Sequence, residues 1–420
     1  METASLPPEL ITLLSNNIIS DAIIDHLPLP SRFALGRTSK AFKAIVADSP
    51  DTFRSLDLSR CRGTYTRYIG PVDSGGQIFR AERMDESLTE DDFYAGPLRG
   101  VLSILRRRKI LPSVKTLILD QLASVTNDLL HEIVTSTEYN IRLLSIRKCP
   151  NINQYKLQQL LQYLCRPGRT ENTPRLRGLY YFTDPLQIVT TKDASGVTAV
   201  DGAQLGALPT AKSGRTAGYY APTGRLMNIS QSDSTLWVQT ISACRGIIWF
   251  DAVLCTHMHT EMDAVVGDHV KDQRPTMPTV ATIALGPSGC EGCGRGPLDG
   301  PIWGRSSLDE FPLVWPPASS GNIVDATRPP TGPTKSQRLI VSCQWCIDNR
   351  HCDSCHRWWC PDCYNPRKGK ALANAENPHI QATAANDGQS SSIKVHNGFC
   401  VEHCLIAEEM AGAGAGGMWG

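Results

Sequence analysis

The first 60 residues place apolar side chains at helical spacing. From Leu10 to Leu27 apolar positions recur every three or four residues, and the spacing resumes from Leu35 to Val46 after two prolines. Residues 1–30 hold four acidic side chains and no Lys or Arg. This pattern predicts an apolar, acidic helical region that forms either a docking surface or a plain helical subdomain.

A second pattern repeats with a period of 27 residues. Leu117 and Leu119 recur as Leu144 and Ile146, and each pair is followed by a turn and an amphipathic helix. Partial copies of the strand portion lie on either side, at residues 53–61 and 176–181. Each copy predicts a short strand, a turn and a helix, which need neighbouring copies to bury their apolar face. The alternative is two αβ units that are similar by coincidence.

The remaining patterns are shorter. Gly, Ala, Thr and Ser dominate residues 183–232, which predicts a linker or insertion. We expect an apolar helix and a buried strand between Leu236 and Cys255, and a further strand from Thr279 to Leu285. These patterns divide the chain into a helical domain (1–60), a repeat region (61–182), a flexible linker or insertion (183–235), a mixed α/β segment ending in a cysteine knuckle (236–296), a Pro-rich connector (297–336), a cysteine-rich module (337–405) and a disordered Gly/Ala tail (406–420).

Composition argues against several classes of protein. The 420-residue chain has a formal net charge of +1, which disfavours a surface built for nucleic acid. It has no apolar stretch long enough to cross a membrane, and its first 20 residues lack the basic and apolar regions of a signal peptide. Its 15 cysteines therefore indicate a reducing compartment, the cytoplasm or the nucleus.

Cysteine spacing carries the clearest chemical signal. Three Cys-x-x-Cys pairs fall within 21 residues, and another lies upstream. Each pair presents two thiolates to a tetrahedral ion, and zinc takes four ligands. An odd number of cysteines in a long chain argues against a disulfide framework. The sequence predicts two structural Zn²⁺ sites, with a third if further ligands join the upstream pair. The candidate ligands are Cys290, Cys293, Cys343, Cys346, Cys352, Cys355, Cys360, Cys363, Cys400, His403 and Cys404.

The short gap between the second and third pairs predicts interleaved zinc sites. Four residues separate Cys355 from Cys360, which leaves little chain to fold both pairs onto one ion. We therefore expect the pairs 343/346 and 360/363 to share one zinc. The pair 352/355 would share another with the downstream Cys/His group. The tryptophans of this module are expected to form its small core and not a ligand surface.

The N-terminal residues resemble an F-box. The likeness rests on the motif Leu6-Pro7-Pro8-Glu9-Leu10, on residues 23–29 and on short motifs that extend to Leu56-Asp57-Leu58-Ser59. In that family a three-helix module binds the Skp-type adaptor of cullin-RING ubiquitin ligases. The spacing between the first motif and residue 27 is longer than the family pattern, so the first helix is extended or the module begins nearer residue 17. The resemblance implies that the adaptor-binding residues include Leu6, Pro7, Leu10, Ile24, Leu27 and Leu29.

Two further parts of the chain resemble known families. The repeat that contains Cys149 resembles the cysteine-containing leucine-rich repeats found behind F-boxes. The C-terminal module is similar to the cross-brace zinc folds of the RING, PHD and ZZ families and to the terminal cysteine cluster of fungal F-box proteins. The implied fold class is α+β multidomain, with a helical F-box, a short leucine-rich-repeat-like αβ solenoid and a C-terminal zinc-stabilised cross-brace-like module.

A basic patch is the candidate substrate-binding surface. Residues 141–180 contain eight Lys or Arg against one Glu, which would suit an acidic or phosphorylated partner segment. A solvated basic face explains the same charges equally well. Strand parity places Arg147 on the exposed side. The candidate residues are Arg142, Arg147, Lys148, Arg175 and Arg177.

The resemblance implies a non-catalytic role. The chain would be the substrate-recognition subunit of a cullin-RING ubiquitin ligase, with a Skp-type adaptor, a cullin scaffold and a protein substrate as partners. Ubiquitin transfer would then depend on positioning the substrate lysine near a charged conjugating enzyme. Two alternatives stay open: a stand-alone RING-like zinc ubiquitin ligase, and a zinc-dependent chromatin, nucleic-acid or protein-interaction module.

Overall fold

Each of the two structural units draws on separate stretches of the sequence. The sheet unit comprises Met1–Pro185, Gln239–Asp251 and Pro312–Arg328, and the cysteine unit comprises Leu186–Val238, Ala252–Phe311 and Pro329–Gly420. The computed structural model describes residues 8–24, 27–47, 49–59, 61, 64, 90–183, 189–192, 198–201, 225–226, 234–255, 280–281, 283–285, 289–294, 300–328, 339–347, 349–352, 354–355, 357–360, 362–364, 393–396 and 398–405. Among them, no helix combines the length and apolar character needed to cross a bilayer.

Helices and strands are both present, as expected, and most are short. The helices are α1 (Pro8–Ser15), α2 (Asn17–Ile24), α3 (Leu29–Thr38), α4 (Lys40–Phe42), α5 (Glu90–Arg107), α6 (Asn127–Thr135), α7 (Gln154–Leu164), α8 (Ser234–Cys244), α9 (Ile323–Thr327) and α10 (Gln344–Ile347). The strands are β1 (Ser55–Asp57), β2 (Thr116–Ile118), β3 (Leu143–Ser145), β4 (Gly178–Tyr180), β5 (Val189–Lys192), β6 (Thr198–Asp201), β7 (Arg225–Leu226), β8 (Trp249–Phe250), β9 (Val253–Leu254), β10 (Val280–Ala281), β11 (Ile283–Leu285), β12 (Ile340–Ser342), β13 (Val395–His396) and β14 (Phe399–Cys400).

Prolines and a hydroxyl cap set the boundaries of the N-terminal helices. Pro28 and Pro30 stand at the start of α3, where a missing N–H costs no helical hydrogen bond. The Ser39 hydroxyl accepts the N–H of Phe42 at 3.1 Å and begins α4. The apolar side chains buried in these helices and in the π-helical turn that follows, Lys43–Ala47, include Leu14, Ile24, Leu29, Phe42 and Val46. The helical pattern predicted for this region is confirmed over the described residues.

A buried arginine joins these helices to the sheet. Arg32 on α3 is 5 % exposed, and its Nε donates to the carbonyl oxygen of Leu27 at 2.8 Å. Its Nη1 donates to the carbonyl oxygens of Thr52 and Ser55 at 2.7 and 2.8 Å. Hydrogen bonds of this kind offset the cost of burying a guanidinium. Because Ser55 begins β1, they tie the helical region to the first strand.

Five parallel strands form the sheet in the order β1-β2-β3-β4-β8. The register sets five buried side chains side by side across the strands: Leu56, Leu117, Leu144, Leu179 and Phe250. The four leucines occupy equivalent positions of the predicted repeat and its partial copies, so the alignment with a 27-residue period predicted their register correctly. The buried strand expected near residue 250 is also present, and it extends this same sheet.

Side-chain caps begin the helices that follow β2 and β3. At α6 the hydroxyl of Thr126 accepts the N–H of Leu129 at 3.3 Å. At α7 the carboxamide oxygen of Asn153 accepts the N–H groups of Tyr155 and Lys156 at 3.0 and 3.2 Å. These caps satisfy donors that the first helical turn leaves without partners. Each of the two repeats is therefore a strand, a turn and a capped helix, as predicted.

The predicted exposure of Arg147 is wrong. Arg147 and Asp120 are both buried, and the guanidinium donates to Asp120 Oδ2 from Nε at 3.0 Å and from Nη2 at 2.5 Å. The Arg147 N–H and the Ser145 hydroxyl donate to Asp120 Oδ1 at 2.8 and 2.6 Å. Asp120 precedes Arg147 by one repeat period, so equivalent positions of neighbouring repeats meet. Strand parity predicts which face of the sheet a side chain lies on, but it does not predict that the neighbouring repeat supplies a carboxylate that pairs with a buried arginine.

Residues 312–328, here called the covering segment, lie across the sheet and are not a plain connector. The Leu313 N–H donates to the Phe250 carbonyl oxygen at 2.8 Å, at the β8 edge. The Thr116 hydroxyl on β2 donates to the carbonyl oxygen of Ala318. The segment therefore spans the sheet from β8 to β2, although the sequence predicted residues 297–336 to be a Pro-rich connector.

A glycine permits this close approach. A Cβ at Gly178 on β4 would lie 2.5 Å from Leu143 Cδ2, 3.1 Å from Ile323 Cδ1 and 3.2 Å from Leu313 Cδ1. Leu313 and Ile323 belong to the covering segment, and all three neighbouring side chains are buried. One face of the sheet is therefore part of the core of the sheet unit.

The cysteine unit contains small antiparallel sheets. β11 pairs with β7 and β12, while β9 pairs with β10 and β13 pairs with β14. β5 pairs with β6, and both lie with β7 in residues 183–235, so the predicted linker contains strands. The predicted segment 236–296 is divided, because residues 239–251 belong to the sheet unit.

Candidate metal centres

Three clusters of thiols in the cysteine unit are compatible with zinc. The first cluster is Cys290, Cys293, Cys360 and Cys363; the second is Cys352, Cys355, Cys400 and Cys404; the third is Cys255, Cys343 and Cys346. Within each cluster the sulfur atoms all lie within 4.8 Å of one another. All fifteen cysteines of the chain lie among the described residues, and none forms a disulfide.

The spacing of the sulfur atoms fits a tetrahedral ion. Zinc–sulfur bonds of about 2.3 Å at tetrahedral angles place two sulfurs about 3.8 Å apart. The Sγ atoms of Cys293 and Cys360 are 3.9 Å apart, and those of Cys355 and Cys400 are 3.6 Å apart. The donor set is also the one that zinc prefers in structural sites. Both four-cysteine clusters therefore fit the ion in distance and in chemistry.

The first cluster brings together knuckles from two separate stretches of chain. The Cys290 sulfur accepts the N–H groups of Gly292 and Cys360 at 3.3 and 3.1 Å. Such donors orient a ligating sulfur and stabilise its charge. Gly292 cannot carry a side chain without rearrangement, because a Cβ there would lie 2.8 Å from the Cβ of Cys363. The cysteine knuckle predicted at the end of residues 236–296 is thus a site of close approach between the two halves of the cluster.

The second cluster combines the pair Cys352 and Cys355 with a C-terminal turn. The Cys400 N–H donates to the Cys352 sulfur at 3.2 Å, and a π-helical turn, Val401–Leu405, follows. Cys400 and Cys404 are four positions apart across this turn and both join the cluster. His403 does not, since its side chain is 50 % exposed and lies 4.0 Å from a carboxylate oxygen of Glu402. The prediction that His403 is a ligand is therefore wrong.

Cys343 and Cys346 join Cys255 and not the predicted pair 360/363. The Cys346 sulfur lies 3.6 Å from that of Cys255 and 3.7 Å from that of Cys343. Strand direction explains the difference. β11 and β12 are antiparallel, with Leu285 opposite Ile340, so the knuckle that follows β11 and the knuckle that follows β12 leave opposite ends of the pair. Nearness in sequence did not reveal this separation.

The first and second clusters nevertheless interleave as predicted. Their paired ligands alternate along the chain in the order 290/293, 352/355, 360/363 and 400/404. This alternation is the cross-brace connection that the short gap between residues 355 and 360 predicted, with a different first pair. Cys290 and Cys293, which were expected to need further ligands for a third site, instead supply half of the first cluster.

Amide donors lower the pKa of one thiol in each four-cysteine cluster. Burial raises the pKa of Cys352, but N–H donors from Cys355 and Cys400 outweigh burial and lower it to about 7. Burial likewise raises the pKa of Cys290, and amide donors that include Cys360 outweigh it, so the net shift is downward. A lower pKa favours the thiolate, which is the form that binds a metal ion.

Two tryptophans form the core of the module around these clusters. Trp358 and Trp359 are buried together with Ile347, Tyr364 and Val395. Apart from the exposed Cys293, all cysteines of the first and second clusters belong to this core or pack against it. The interpretation as core is confirmed for Trp358 and Trp359, while the side chain of Trp345, which the same prediction included, lies outside the described residues. Since this core is small, metal binding would contribute much of its stability.

The residues predicted to bind the adaptor differ in their exposure. Leu6 and Pro7 lie outside the described residues. Ile24 and Leu29 are buried within the N-terminal helices, Leu27 is half-buried, and Leu10 is 41 % exposed. The prediction treated all six as one adaptor-binding set, but two of them belong to the core of the helical region.

Two exposed residues were missed in that prediction. Leu13 is 49 % exposed and Ile23 is 41 % exposed. Leu13 lies one turn beyond Leu10 on α1, so both side chains project from the same side of the helix. The F-box resemblance supplied Leu10, and helical spacing counted from Leu10 was sufficient to find Leu13 as well.

The predicted basic residues do not form one exposed patch. Arg142 and Lys148 are exposed, Arg177 is half-buried, and Arg147 is buried against its carboxylate partner. Arg175 is exposed but its Nη1 donates to two backbone carbonyl oxygens. Only part of the charge counted in the sequence is therefore available to a partner.

The sequence matches no protein-family model, and a search of curated proteins finds no similar sequence. Function is therefore inferred from the residues and their geometry.

Proposed function

We propose that the chain is the non-catalytic substrate-recognition subunit of a cullin-RING ubiquitin ligase. Its N-terminal helices would bind a Skp-type adaptor, and the rest of the chain would hold a protein substrate. The observation that best supports this proposal is the exposure of three large apolar side chains on α1 and α2, at Leu10, Leu13 and Ile23. In a helical region that resembles an F-box, such side chains are suited to an apolar groove.

The energetic reason is the cost of leaving these side chains in water. Full burial of a leucine or isoleucine contributes about 1.5–3 kcal/mol, and each of the three is only partly buried in this chain. A partner that covers these side chains gains the part of this burial free energy that folding of the chain leaves unused. Because binding energy concentrates in a few central apolar anchors, we expect Leu10 and Leu13 to dominate the adaptor contact.

A receptor of this kind must transmit the position of the adaptor to the substrate. The Arg32 hydrogen bonds, which join α3 to the start of β1, provide that connection within the sheet unit. The chain then contributes to ubiquitin transfer by holding the substrate lysine near the conjugating enzyme. The exposed side chains of Arg142 and Lys148 are the remaining basic candidates for substrate contact.

Two structural zinc ions, one in each four-cysteine cluster, belong to the same proposal. Four thiolates close the coordination sphere and leave no position for a substrate or a reactive water, so the role of these ions would be to stabilise the fold. Structural zinc contributes about 10–16 kcal/mol in small finger-like modules. The cysteine unit would then be a rigid interaction module.

Coexpression with the adaptor tests the proposal. We expect the full chain and a Skp-type adaptor to elute as one complex in gel filtration, and to retain the cullin scaffold when it is added. The variant Leu10→Asp/Leu13→Asp should elute separately, whereas Glu9→Ala on the same helix should behave as wild type. Separate elution of a folded, zinc-loaded wild-type chain would show that the proposal is wrong.

The interleaved clusters favour a second candidate function. A cross-brace arrangement is the connection used by RING modules, which recruit a conjugating enzyme themselves. The full chain would then discharge ubiquitin from a charged conjugating enzyme without adaptor or cullin. Discharge that is lost in Cys352→Ser would support this candidate over the first, and its absence in a folded, zinc-loaded chain would eliminate it.

A further inference from the structure

We infer that Cys255, Cys343 and Cys346 hold a third zinc ion, separate from the two four-cysteine sites. This site does not depend on the adaptor proposal, because all three residues lie in the cysteine unit. The Cys346 sulfur is 3.6 Å from that of Cys255 and 3.7 Å from that of Cys343. These separations match the distance of about 3.8 Å expected between two sulfurs on one tetrahedral zinc ion.

The connectivity of the other clusters leaves one knuckle for this site. Cys343 and Cys346 have ordinary zinc-knuckle spacing, and the Cys346 N–H donates to the Cys343 carbonyl oxygen at 3.0 Å, which closes the turn. The pair 360/363, which the sequence predicted as the partner of 343/346, already forms the first cluster with 290/293. Cys255, 88 positions upstream of Cys343, supplies the third sulfur.

The surroundings suit a structural ion. Cys255 and Cys343 are 2 % and 1 % exposed, and Val253 and Val341 pack against them. Apolar walls exclude water and strengthen the attraction between thiolates and a cation. Cys255 follows β9 and Cys343 follows β12, so an ion at this position would join the β9–β10 pair to the β11–β12 pair.

The grouping of three distinguishes this cluster from a redox pair. A disulfide would join two of the sulfurs and leave the third, whereas a metal ion uses all of them. The chain also contains a simple pair of neighbouring buried thiols, Cys165 and Cys244, to which the part of the chain that the structure describes adds no third ligand. With three thiolates, the coordination sphere of the third zinc is completed by a donor other than cysteine, which makes this site spectroscopically distinct.

Cadmium substitution in the full chain provides the test. The ¹¹³Cd nuclear magnetic resonance spectrum should contain three signals, two at the low field typical of four thiolates and one shifted upfield because it has fewer sulfur ligands. Metal analysis of the zinc-loaded chain should correspondingly give three ions. Cys255→Ser should remove the upfield signal alone, and Cys61→Ser, outside all three clusters, should keep all three signals.

A second variant keeps the inference testable if Cys255→Ser also damages the fold. Cys346 is only half-buried, and Cys346→His retains a zinc donor at that position. It should therefore keep three signals, with the upfield one shifted further, while Cys346→Ser should lose it. Two signals in the wild type, three in Cys255→Ser, two in Cys346→His, or a mass showing a disulfide among the three cysteines would each overturn the inference. None of these results depends on whether the adaptor binds.

Discussion

Breaking the buried pair of Asp120 and Arg147 should destabilise the sheet unit strongly. Arg147→Met keeps an unbranched apolar side chain but removes the guanidinium donors from the Asp120 carboxylate. The two side chains are only 5 % and 6 % exposed, so water cannot replace the lost donors without opening the core. Removing one partner of a buried ion pair costs about 3–5 kcal/mol, mostly because the other charge stays buried.

Thermal unfolding followed by far-ultraviolet circular dichroism measures this loss. Each 1 kcal/mol lowers the melting temperature of a domain of 150–250 residues by about 2–4 °C, so we expect a decrease of roughly 6–20 °C. Arg142→Met is the matched control, because Arg142 is exposed and the substitution is the same. Its effect should stay within about 0.5 kcal/mol. Equal melting temperatures for the two variants would refute the assignment of Arg147 to the core.

A double-mutant cycle separates the pair interaction from simple loss of packing. Asp120→Asn alone leaves the Arg147 charge buried, while Asp120→Asn/Arg147→Met removes both charges. The double variant should therefore be no less stable than the less stable of the two single variants. The coupling energy should then be at least about 3 kcal/mol, because it cannot be smaller than the loss in the milder single variant. Strictly additive losses would contradict an interaction between the two side chains.

Three further outcomes are expected. Gly178→Ala should lower the free energy of unfolding by about 1–3 kcal/mol, because the added methyl group overpacks against the covering segment. Gly100→Ala is the control: nothing lies within 4 Å of the added Cβ, so it should stabilise α5 by about 0.5–1 kcal/mol. Urea unfolding compares the two variants, and equal shifts would contradict the tight packing at Gly178. Gly292→Ala should lower the zinc affinity of the first cluster about tenfold in a chelator competition, a loss of about 1.4 kcal/mol in binding free energy. Gly168→Ala should leave this affinity unchanged. An unaltered zinc affinity in Gly292→Ala would argue against the close approach to Cys363. Chelation of zinc should abolish the near-ultraviolet circular dichroism of Trp358 and Trp359, because the small core depends on metal. A spectrum that survives complete zinc removal would show that this core is stable without metal.

The sheet was predictable because its apolar positions have a simple period. The leucines at 117 and 144 are one repeat apart and pair in register, and their partial copies at 56 and 179 extend the same row. The period also contained the Asp120–Arg147 contact, since the two positions are 27 residues apart. Reading the polar positions at the repeat period, and not only by strand parity, would have placed Arg147 in the core.

The covering segment and the cysteine pairing were not predictable by the same means. Residues 312–328 reach the sheet through isolated contacts, such as Leu313 with Phe250, that leave no periodic pattern in the sequence. Cys255 meets Cys343 because of where β9 and β12 end, and strand direction cannot be read from cysteine spacing. The interleaving itself was predictable, because it follows from a covalent limit on the chain between Cys355 and Cys360.

The affinity of the purified full chain for a purified Skp-type adaptor tests the central claim most directly. Biolayer interferometry should give saturable binding to the wild-type chain. Leu10→Asp/Leu13→Asp should raise the Kd at least about tenfold, a loss of at least about 1.4 kcal/mol, because it removes the exposed apolar anchors. Circular dichroism should show that this variant stays folded, since both side chains are exposed in the wild type. A folded wild-type chain that shows no saturable binding, or a folded variant that binds with the wild-type Kd, would contradict the proposed receptor function.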